Sequence, residues 1–551
     1  MNTKNFKSLV LFLFVISTLC LTIGMVPIRI YISGYDTHPN LTISNIEKPQ
    51  IPTTNLWTEE GVVICQTNNT QHNPQIISDG AGGAIIVWEH YHANFTVSDI
   101  HAQKINSTGD VQWEGNGTAI CTANGKQRIF YDYWILNQRI ISDGAGGAII
   151  VWEDCRSNIT VRDIYAQRVN SKGDVLWDDN GTAICTASGD QSGSQIISDG
   201  DGGAIIVWQD ERNGDGKVDV YAQRINSKGD VLWNDNGIAI ITSSDYLSNW
   251  NPQICSDGDG GAIIVWAECI FGHPYKMDGW GFFAQRVNSA GNVQWKNEGM
   301  QIYFANKHNQ YHQICSDGIG GAIITWMEWR KGCCSDIFAQ KINSSGDIQW
   351  GINGTDICRA DDLQYIPIIC TDGEEGAIIA WQDYRSGRLD RDIYAQRVDS
   401  KGKVQWTVNG EAICTTYDYE SPLQICSDGK GGAFIVWEKT GRKLRSDISM
   451  QRIDFNGTVQ WTIDGISINT GNYNKSYPAV CSDGTEGVII TWADDRNMNR
   501  TEIDIYAQRI IEQVPYKKKR WISFGSYYLL LTILGFISSI IVIKQKIKDF
   551  K

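Results

Sequence analysis

The segment Ile196–Ile225, IISDGDGGAIIVWQDERNGDGKVDVYAQRI, contains the motif that decides the fold. Its Ser-Asp-Gly turn, once changed to Thr-Asp-Gly, occurs eight times along the chain, and successive copies lie 55 to 64 residues apart. The aspartates of these turns are Asp79, Asp143, Asp199, Asp257, Asp317, Asp372, Asp428 and Asp483. A sustained period of this length is typical of solenoids, propellers and other repeat arrays.

Each repeat predicts four short β-strands. Strand A is the QII or QIC before the turn, strand B is GAIIVW, strand C is DIYAQRVN, and strand D is VQW continuing towards AIC. These segments are rich in β-branched and aromatic residues and are bounded by Gly, Asp and Asn, which excludes a helical solenoid. Four short antiparallel strands in a unit of this length predict the blade of a β-propeller.

The two ends of the repeat region predict a closed ring. The eighth unit ends with Ile505–Arg509 and has no VQW or AIC segment, whereas Leu56-Trp57 and Ile64-Cys65 supply that missing piece at the beginning. A ring hides the exposed edges that an open array would leave. The expected fold is therefore an all-β, eight-bladed β-propeller over residues 55–511, with four-stranded blades closed by the N-terminal strand, plus terminal transmembrane helices.

Two resemblances agree with this architecture. The repeats resemble those of secreted and cell-surface prokaryotic β-propeller proteins. The segment Asn170–Trp177, NSKGDVLW, also resembles the Gly-x-x-x-Trp docking repeat of eight-bladed quinoprotein dehydrogenases, although Lys172 stands where that family has Thr. The second resemblance covers the C–D turn and its tryptophan, so it implies a propeller and does not imply the chemistry of that family.

The amino-terminal end predicts membrane targeting. Lys4 and Lys7 precede an apolar run that ends near Ile28, so residues 1–30 are predicted to be a signal-anchor or a signal peptide. No small-residue cleavage site stands out before Tyr31, which favours an uncleaved anchor. Residues 31–54 are predicted to be a linker.

The carboxy-terminal end predicts a second membrane segment. Residues 521–543 form an apolar stretch long enough for a helix across a bilayer core of about 30 Å. Residues 512–520 are predicted to be a basic juxtamembrane linker, and residues 544–551 a cytoplasmic tail.

Charge and sequons indicate the compartment and the class of partner. Twelve Asn-x-Ser/Thr sequons favour an extracellular propeller that is a glycoprotein on the cell membrane. The net charge of −14 argues against a nucleic acid partner, because binding to phosphates needs a basic face. The expected partners are the membrane itself and a glycan or surface-protein ligand.

Several repeated polar residues are predicted to be structural. The Ser-Asp-Gly aspartate is expected to cap its own turn. Asp154 and Arg156 represent a pair that recurs after strand B, interpreted as an exposed hairpin ion pair contributing about 0–1 kcal/mol. The tryptophans that end strand B are expected to pack between blades.

The fifteen cysteines leave three possibilities open. At most repeat positions Cys interchanges with Ile, which favours small buried thiols. Two connections carry Cys at both ends, so disulfides Cys358–Cys370 and Cys414–Cys426 are a second possibility, and the vicinal Cys333-Cys334 is a third.

One hairpin carries a weak calcium prediction. Glu211, Asn213, Asp215 and Asp219 resemble the first nine positions of an EF-hand loop, but Ala222 occupies the twelfth position, where a bidentate acid is required. The alternative is a plain Gly-rich hairpin. No other cofactor is expected.

The ligand-binding residues are predicted from loop variation. The A–B and C–D turns are constant in length, whereas the B–C and D–A connections vary, and variable loops on a rigid scaffold usually carry function. Exposed aromatics in these connections suit sugar stacking or a protein interface. The candidate ligand-binding residues are Trp250, Phe271, Tyr275, Trp280 and Trp329 in blades 4 and 5, and Phe130, Tyr131, Tyr133 and Trp134 before blade 2. The alternative is that these aromatics pack inward.

The resulting hypothesis is a membrane-anchored recognition or adhesion module for glycans or surface proteins. The alternatives are a propeller enzyme, either quinoprotein-like or glycoside-cleaving, and a purely structural envelope protein. No catalytic residues are predicted, because acids specific to one blade do not converge in the sequence pattern.

Overall fold

A computed structural model describes residues 57–511, except 93–94, 130–137, 159, 215, 243–246, 273–275, 306–308, 331–333, 388–390, 442–444, 469–470, 472, 486 and 498–501. The described residues form thirty-three β-strands in eight antiparallel sheets. Each sheet contains one Ser-Asp-Gly repeat, which confirms the predicted all-β, eight-bladed propeller. The predicted segments 1–30, 31–54, 512–520, 521–543 and 544–551 lie outside the described residues. Within those residues, no helix has the length and hydropathy needed to cross a bilayer.

The first four blades have the following strands. Strand β1 (Val62–Cys65) comes first in the chain but belongs to blade 8. Blade 1 contains β2 (Thr70–Ser78), β3 (Ala84–Tyr91), β4 (Ser98–Ile105) and β5 (Thr118–Cys121). In blade 2, β6 (Gln127–Arg128) and β7 (Ile140–Ser142) share the A position, followed by β8 (Ala148–Asn158), β9 (Val161–Val169) and β10 (Thr182–Cys185). Blade 3 contains β11 (Gln191–Ser198), β12 (Ala204–Asp210), β13 (Asp219–Ile225) and β14 (Ile238–Ile241). Blade 4 contains β15 (Leu247–Ser256), β16 (Ala262–Gly272), β17 (Lys276–Val287) and β18 (Met300–Ala305).

The remaining blades follow the same A–B–C–D order. Blade 5 contains β19 (Asn309–Ser316), β20 (Ala322–Trp329), β21 (Ser335–Ile342) and β22 (Thr355–Cys358). Blade 6 contains β23 (Gln364–Thr371), β24 (Ala377–Asp383), β25 (Asp392–Val398) and β26 (Glu411–Cys414). Blade 7 contains β27 (Tyr419–Ser427), β28 (Ala433–Gly441), β29 (Arg445–Ile453) and β30 (Ile466–Ser467). Blade 8 contains β31 (Lys475–Ser482), β32 (Gly487–Asp494), β33 (Asp504–Ile511) and β1.

The N-terminal strand closes the ring, as the repeat phase predicts. Strand β1 pairs antiparallel with β33, and Val62 lies opposite Ala507. The indole N–H of Trp57 donates to the carbonyl of Ser107 in blade 1 at 3.0 Å. Trp113 makes the corresponding bond to Ser171 in blade 2 at 3.2 Å, so the closing contact repeats an ordinary contact between blades.

Apolar clusters fill the space between neighbouring blades. The eight tryptophans that end strand B are fully buried, which confirms their predicted packing role: Trp88, Trp152, Trp208, Trp266, Trp326, Trp381, Trp437 and Trp492. At the closing interface, Ile64 and Cys65 of β1 share a cluster with Trp88. Gly61 has φ +82°, and a Cβ there would lie 2.5 Å from Trp492, so both the turn and the packing require glycine.

The strand order defines two faces of the ring. Strand D is shorter than predicted, because VQW joins strand C through a single bridge, Ile105 to Val111, and AIC forms the D strand itself. Both pieces nevertheless lie along the same edge of strand C. The A–B and C–D turns therefore share one face, here called the turn face, and the B–C and D–A connections share the other, here called the loop face.

The turn face is held by a repeated aspartate. The Asp143 carboxylate accepts from the backbone N–H groups of Ala145 and Gly147 at 2.8 and 2.7 Å, which confirms the predicted cap. It also pairs with Arg168 of strand C at 2.9 Å, and Arg168 donates to the Ser227 carbonyl of the next blade. This network explains why the turn face tolerates no change in length.

Two sequence-based interpretations change once the contacts are known. Cys358, Cys370, Cys414 and Cys426 are free thiols, so the disulfide alternative is wrong for these four. Several sequon asparagines also support the fold. For example, Asn180 has φ +62° and its side-chain oxygen accepts from the Thr122 backbone of the preceding blade at 2.8 Å. The repeat itself therefore accounts for part of the sequon count.

Candidate functional site: the channel wall and its loop-face mouth

The innermost strand of every blade is strand A, because each A strand contacts the A strands of both neighbouring blades. The residues before Ser-Asp-Gly therefore line a central channel. Along these strands, successive side chains point to opposite faces of the blade, and the edge of the strand borders the channel.

Five thiols lie on this inner wall in consecutive blades. They occupy the residue two before the turn aspartate, where the other blades carry Ile: Cys255, Cys315, Cys370, Cys426 and Cys481. Burial raises the pKa of the Cys426 thiol to about 12, and it raises the pKa of the other four as well. The thiols are therefore protonated at neutral pH and act as small apolar surface, as the Cys/Ile interchange predicts.

A cavity of about 470 Å³ lies along the wall formed by blades 7, 8, 1 and 2. Its polar lining consists of amides and hydroxyls, and none of the described lining residues carries a formal charge. The polar groups come from Asn73, Gln75, Ser78, Gln138, Gln424, Tyr477 and Ser482, and the apolar ones include Ile77, Ile140 and Cys481. A concave site of this size, with a few convergent polar groups, is typical of a small-ligand site.

A β-bulge shapes the loop-face end of the cavity. Register shifts occur between His72 and Gln75 in β2 and between Ser476 and Ala479 in β31. The bulged residues Asn73 and Tyr477 have φ +55° and +53°, uncommon values for residues other than glycine. The A strands of blades 3 to 7 have the same register shift, so the bulge belongs to the repeat and does not by itself mark a site.

Buried acids stand beside this bulge. The Glu89 carboxylate accepts from Asn73, from the Tyr91 hydroxyl at 2.7 Å and from the Ile129 backbone at 2.8 Å, so it is engaged in hydrogen bonds that hold the structure. Glu438 differs. It is 7% exposed, burial raises its pKa to about 7, and its Oε2 has no hydrogen-bond partner.

Four blades share a cluster at the base of the B–C hairpin, here called the Trp-Asp-Arg-Tyr clamp. In blade 2, the indole of Trp152 donates to Asp154 at 2.8 Å, and Arg156 pairs with Asp154 at 2.6 Å while stacking 3.8 Å above the ring of Tyr165. Arg156 also reaches Cys121 of the preceding blade at 3.4 Å. The corresponding sets are Trp208, Asp210, Arg212 and Tyr221; Trp381, Asp383, Arg385 and Tyr394; and Trp492, Asp494, Arg496 and Tyr506.

The clamp corrects the sequence-based interpretation of the Asp/Arg pairs. The ion pair itself is confirmed, but Asp154 is fully buried and is not an exposed hairpin residue. The Asp position is occupied by His90, Glu268, Glu328 and Lys439 in blades 1, 4, 5 and 7. In these blades the indole N–H groups of Trp88, Trp266, Trp326 and Trp437 are buried without a partner.

The predicted ligand-binding aromatics do not form one cluster among the described residues. Trp250 is 37% exposed, in β15 opposite Ala267. Trp280 and Trp329 are partly buried and pack against the 4/5 and 5/6 interfaces respectively, so the structure places them apart. Phe271 lies in β16 opposite Met277. Tyr275 and the group Phe130, Tyr131, Tyr133 and Trp134 lie outside the described residues.

The predicted calcium residues form a hairpin contact. Asn213 donates to Asp219 at 2.5 Å, as Asn497 donates to Asp504 in blade 8 at 2.7 Å. Glu211 is partly buried, which raises its pKa, and Asp215 lies outside the described residues. Since Asp219 occupies a recurring hairpin position, its presence does not require a metal.

Sequence reasoning missed the cavity and several exposed aromatics of the loop face. The cavity residues Gln75 and Gln424 belong to the repeated strand A, so no sequence signal separates them from core residues. The missed aromatics lie in B–C and D–A connections, so the loop rule already applied could have found them: Phe95, Tyr417, Tyr419 and Tyr473.

Comparisons with known proteins add distant likenesses. No family model matches the chain, and no curated protein matches its sequence. Among solved structures, the β-propeller domain of the Trilobed protease from Pyrococcus furiosus is 9% identical, covering 73% of this chain and 99% of that one, with a TM-score of 0.39. The α-L-arabinanase of Penicillium chrysogenum is 12% identical, covering 62% and 98%, with a TM-score of 0.34. These likenesses are too distant to argue from, and the fold rests on the sheets described above.

Proposed function

We propose that this protein is a membrane-anchored extracellular recognition module that binds a neutral glycan at the loop-face mouth of the channel. One observation carries the proposal: the cavity is lined by amides and hydroxyls beside apolar side chains, and its described lining has no formal charge. Sugar hydroxyls both donate and accept, and Asn and Gln side chains offer both functions in one group. A charged ligand would find no counter-charge in this lining.

The predicted aromatic group is close in sequence to a residue of the cavity. Residues Phe130, Tyr131, Tyr133 and Trp134 come a few positions before Gln138, which lines the cavity. Ile129, at the start of this segment, is held by Glu89. Aromatic rings beside an amide-lined pocket suit the stacking of sugar faces. We assign the stacking role to this group and the hydrogen-bonding role to Asn73, Gln424 and Tyr477.

A glycan array with the purified full-length chain tests the proposal. We expect retention of neutral glycans and no preference for sulfated or sialylated ones. Trp134→Ala and Gln424→Ala should each raise the Kd by about tenfold, equivalent to about 1.4 kcal/mol of binding free energy. Tyr417→Ala is the matched control, because Tyr417 is 77% exposed on the same face but does not line the cavity. Binding that survives both Trp134→Ala and Gln424→Ala, or that depends equally on Tyr417, contradicts the proposal.

A glycoside-cleaving enzyme is a second candidate, favoured by Glu438 alone. A buried carboxyl with a pKa near neutrality is the state that a general acid needs. Glycosidases pair such an acid with a second carboxylate about 5–9.5 Å away. If this candidate is right, the wild-type chain should hydrolyse the glycan that it binds, and Glu438→Gln should abolish turnover while leaving binding intact. Absence of product from a bound glycan would exclude it.

A further inference from the structure

Three of the eight histidines of the chain lie in one hairpin of blade 1. They occupy the positions of the aspartate, arginine and tyrosine of the clamp, while Trp88 keeps the position of the tryptophan. His90 stands where Asp154 stands in blade 2, His92 stands where Arg156 stands, and His101 lies opposite Trp88 as Tyr165 lies opposite Trp152. Three substitutions to the same residue type in one clamp indicate a shared role.

The three rings gather on one side of the sheet. Because side chains two residues apart in a strand point the same way, His90 shares the face of Trp88 and of His101 across the strand pair. The ring centroids of His90 and His101 are 4.9 Å apart, and those of His90 and His92 are 6.1 Å apart.

The Nε2 atoms of His90 and His92 already have hydrogen-bond partners. Nε2 of His90 lies 3.1 Å from the Asn69 amide, and Nε2 of His92 lies 3.0 Å from the Asp99 carboxylate. Nδ1 of His90 is buried and has no partner. Histidines that bind metals typically use one ring nitrogen as ligand and hold the other in such a bond.

We propose that His90, His92 and His101 bind one divalent transition-metal ion, with Asp99 and Asn69 orienting two of the rings. Imidazole ligands favour Zn²⁺, Ni²⁺, Co²⁺ and Cu²⁺ over Ca²⁺ or Mg²⁺. Metal ligation uses the neutral form of imidazole, in which one ring nitrogen is free to bind the ion. This site lies outside the channel cavity and is independent of the proposed glycan binding.

Binding requires the rings to close around the ion. Within the described part of the chain, no group of three His, Cys, Asp or Glu side chains is arranged so that it could hold a metal ion. His92 has room to move, since 47% of its side chain is exposed.

The test restores the clamp in blade 1 of the full-length chain. The triple variant His90→Asp, His92→Arg and His101→Tyr installs the residues that blades 2, 3 and 6 use, so it is expected to fold. Calorimetric titration with Zn²⁺ should give one site per wild-type chain, and the triple variant should bind at least about 100-fold more weakly. His92→Ala, changing an exposed side chain, should weaken binding at least about tenfold, whereas His72→Gln in the same blade should leave it unchanged.

The absorption spectrum of the Co²⁺ complex tests which side chains bind the ion. The Co²⁺ complex should show visible d–d bands without a thiolate charge-transfer band, because the proposed donors are imidazoles. A thiolate band would place the ion on cysteines and overturn the proposal. It would also be overturned by a wild-type chain without a stoichiometric site, or by a triple variant that binds as tightly as the wild type.

Discussion

Blades 2, 3, 6 and 8 carry the Trp-Asp-Arg-Tyr clamp, and blades 1, 4, 5 and 7 do not. The scaffold is otherwise the same in both sets, because every blade keeps the buried tryptophan and the Ser-Asp-Gly network. In the clamped blades the indole N–H has an aspartate partner. In the unclamped blades it is buried with none, a state that usually costs about 1–3 kcal/mol.

The unclamped blades also carry the local chemistry that distinguishes one blade from another. Blade 1 has the three histidines, and blade 7 has Glu420 and Glu438 with raised pKa values. The B–C hairpin of blade 4 has strands of 11 and 12 residues, against 7 and 7 in blade 3. Loss of the clamp accompanies variation of the loop face in blades 1, 4 and 7. Clamped blade 2 varies as well, since its B strand has 11 residues, so the clamp and a variable loop face can occur in one blade.

Removal of the clamp aspartate should have the largest effect. Asp210 is fully buried and accepts from Trp208 at 2.7 Å and from Arg212 at 2.6 Å. Asp210→Ala leaves the guanidinium and the indole without their acceptor, so we expect a loss of about 3–5 kcal/mol in the free energy of unfolding. Urea denaturation at pH 7 measures it.

The matched control is Glu268→Ala, at the same position in unclamped blade 4. Burial raises the pKa of Glu268, and Trp266 gives it no hydrogen bond. We expect a loss of about 1 kcal/mol or less. Equal losses for the two variants would remove the clamp as an explanation of the difference between the blades.

Substitution of the tryptophan also compares a clamped with an unclamped blade, and the expected loss of stability is smaller. Trp208→Phe removes a bond to a charged acceptor, whereas Trp326→Phe removes an N–H that is buried without a partner. Both variants lose similar ring area, so the difference between them isolates the hydrogen bond. We expect Trp208→Phe to cost about 1.5–3 kcal/mol more than Trp326→Phe in urea denaturation. A difference near zero would show that the indole bond adds nothing to the Asp210–Arg212 pair.

Ring closure could be predicted from the sequence, but the clamp could not. Trp57 occupies the strand D position that the last repeat lacks, so counting repeats is enough to place it. The spacing of Asp154 and Arg156 is the same for an exposed hairpin pair and for a buried clamp. What buries them is packing against the preceding blade, including Cys121, and a repeat pattern does not encode that packing distance.

The two faces of the ring could be predicted from the sequence, but the cavity could not. Loop lengths correctly indicated which connections share a face, because strand order fixes this for any antiparallel blade. The cavity residues sit on strand A, where Ile77 and Cys481 follow the same pattern as core residues. The sequence does not show that they face a channel, because this depends on how the A strands are arranged around the ring.

The smallest effect at neutral pH is expected for Glu420 in unclamped blade 7. Glu420 is fully buried opposite Lys439, at the position where blades 3 and 6 carry Gln191 and Gln364. Burial raises its pKa to about 8, against an ordinary value of 4.5. Because the folded-state pKa is the higher one, the stability that Glu420 contributes is complete below pH 4.5 and is lost progressively as the pH rises to about 8.

Glu420→Gln should remove this loss. We expect the variant and the wild type to differ little at pH 4.5, and the variant to be more stable by about 1 kcal/mol at pH 7, since the amide must itself be hydrogen-bonded in the same site. The advantage should grow up to pH 8 in denaturation series taken across this range. Glu114→Gln, an exposed control, should leave the pH profile unchanged. The contrary result is a free energy of unfolding of Glu420→Gln that follows that of the wild type at a constant difference across the pH range. Such a result would contradict the prediction and mean that Glu420 is ionised in the folded ring, so that blade 7 holds a charged pair with Lys439 in place of the clamp.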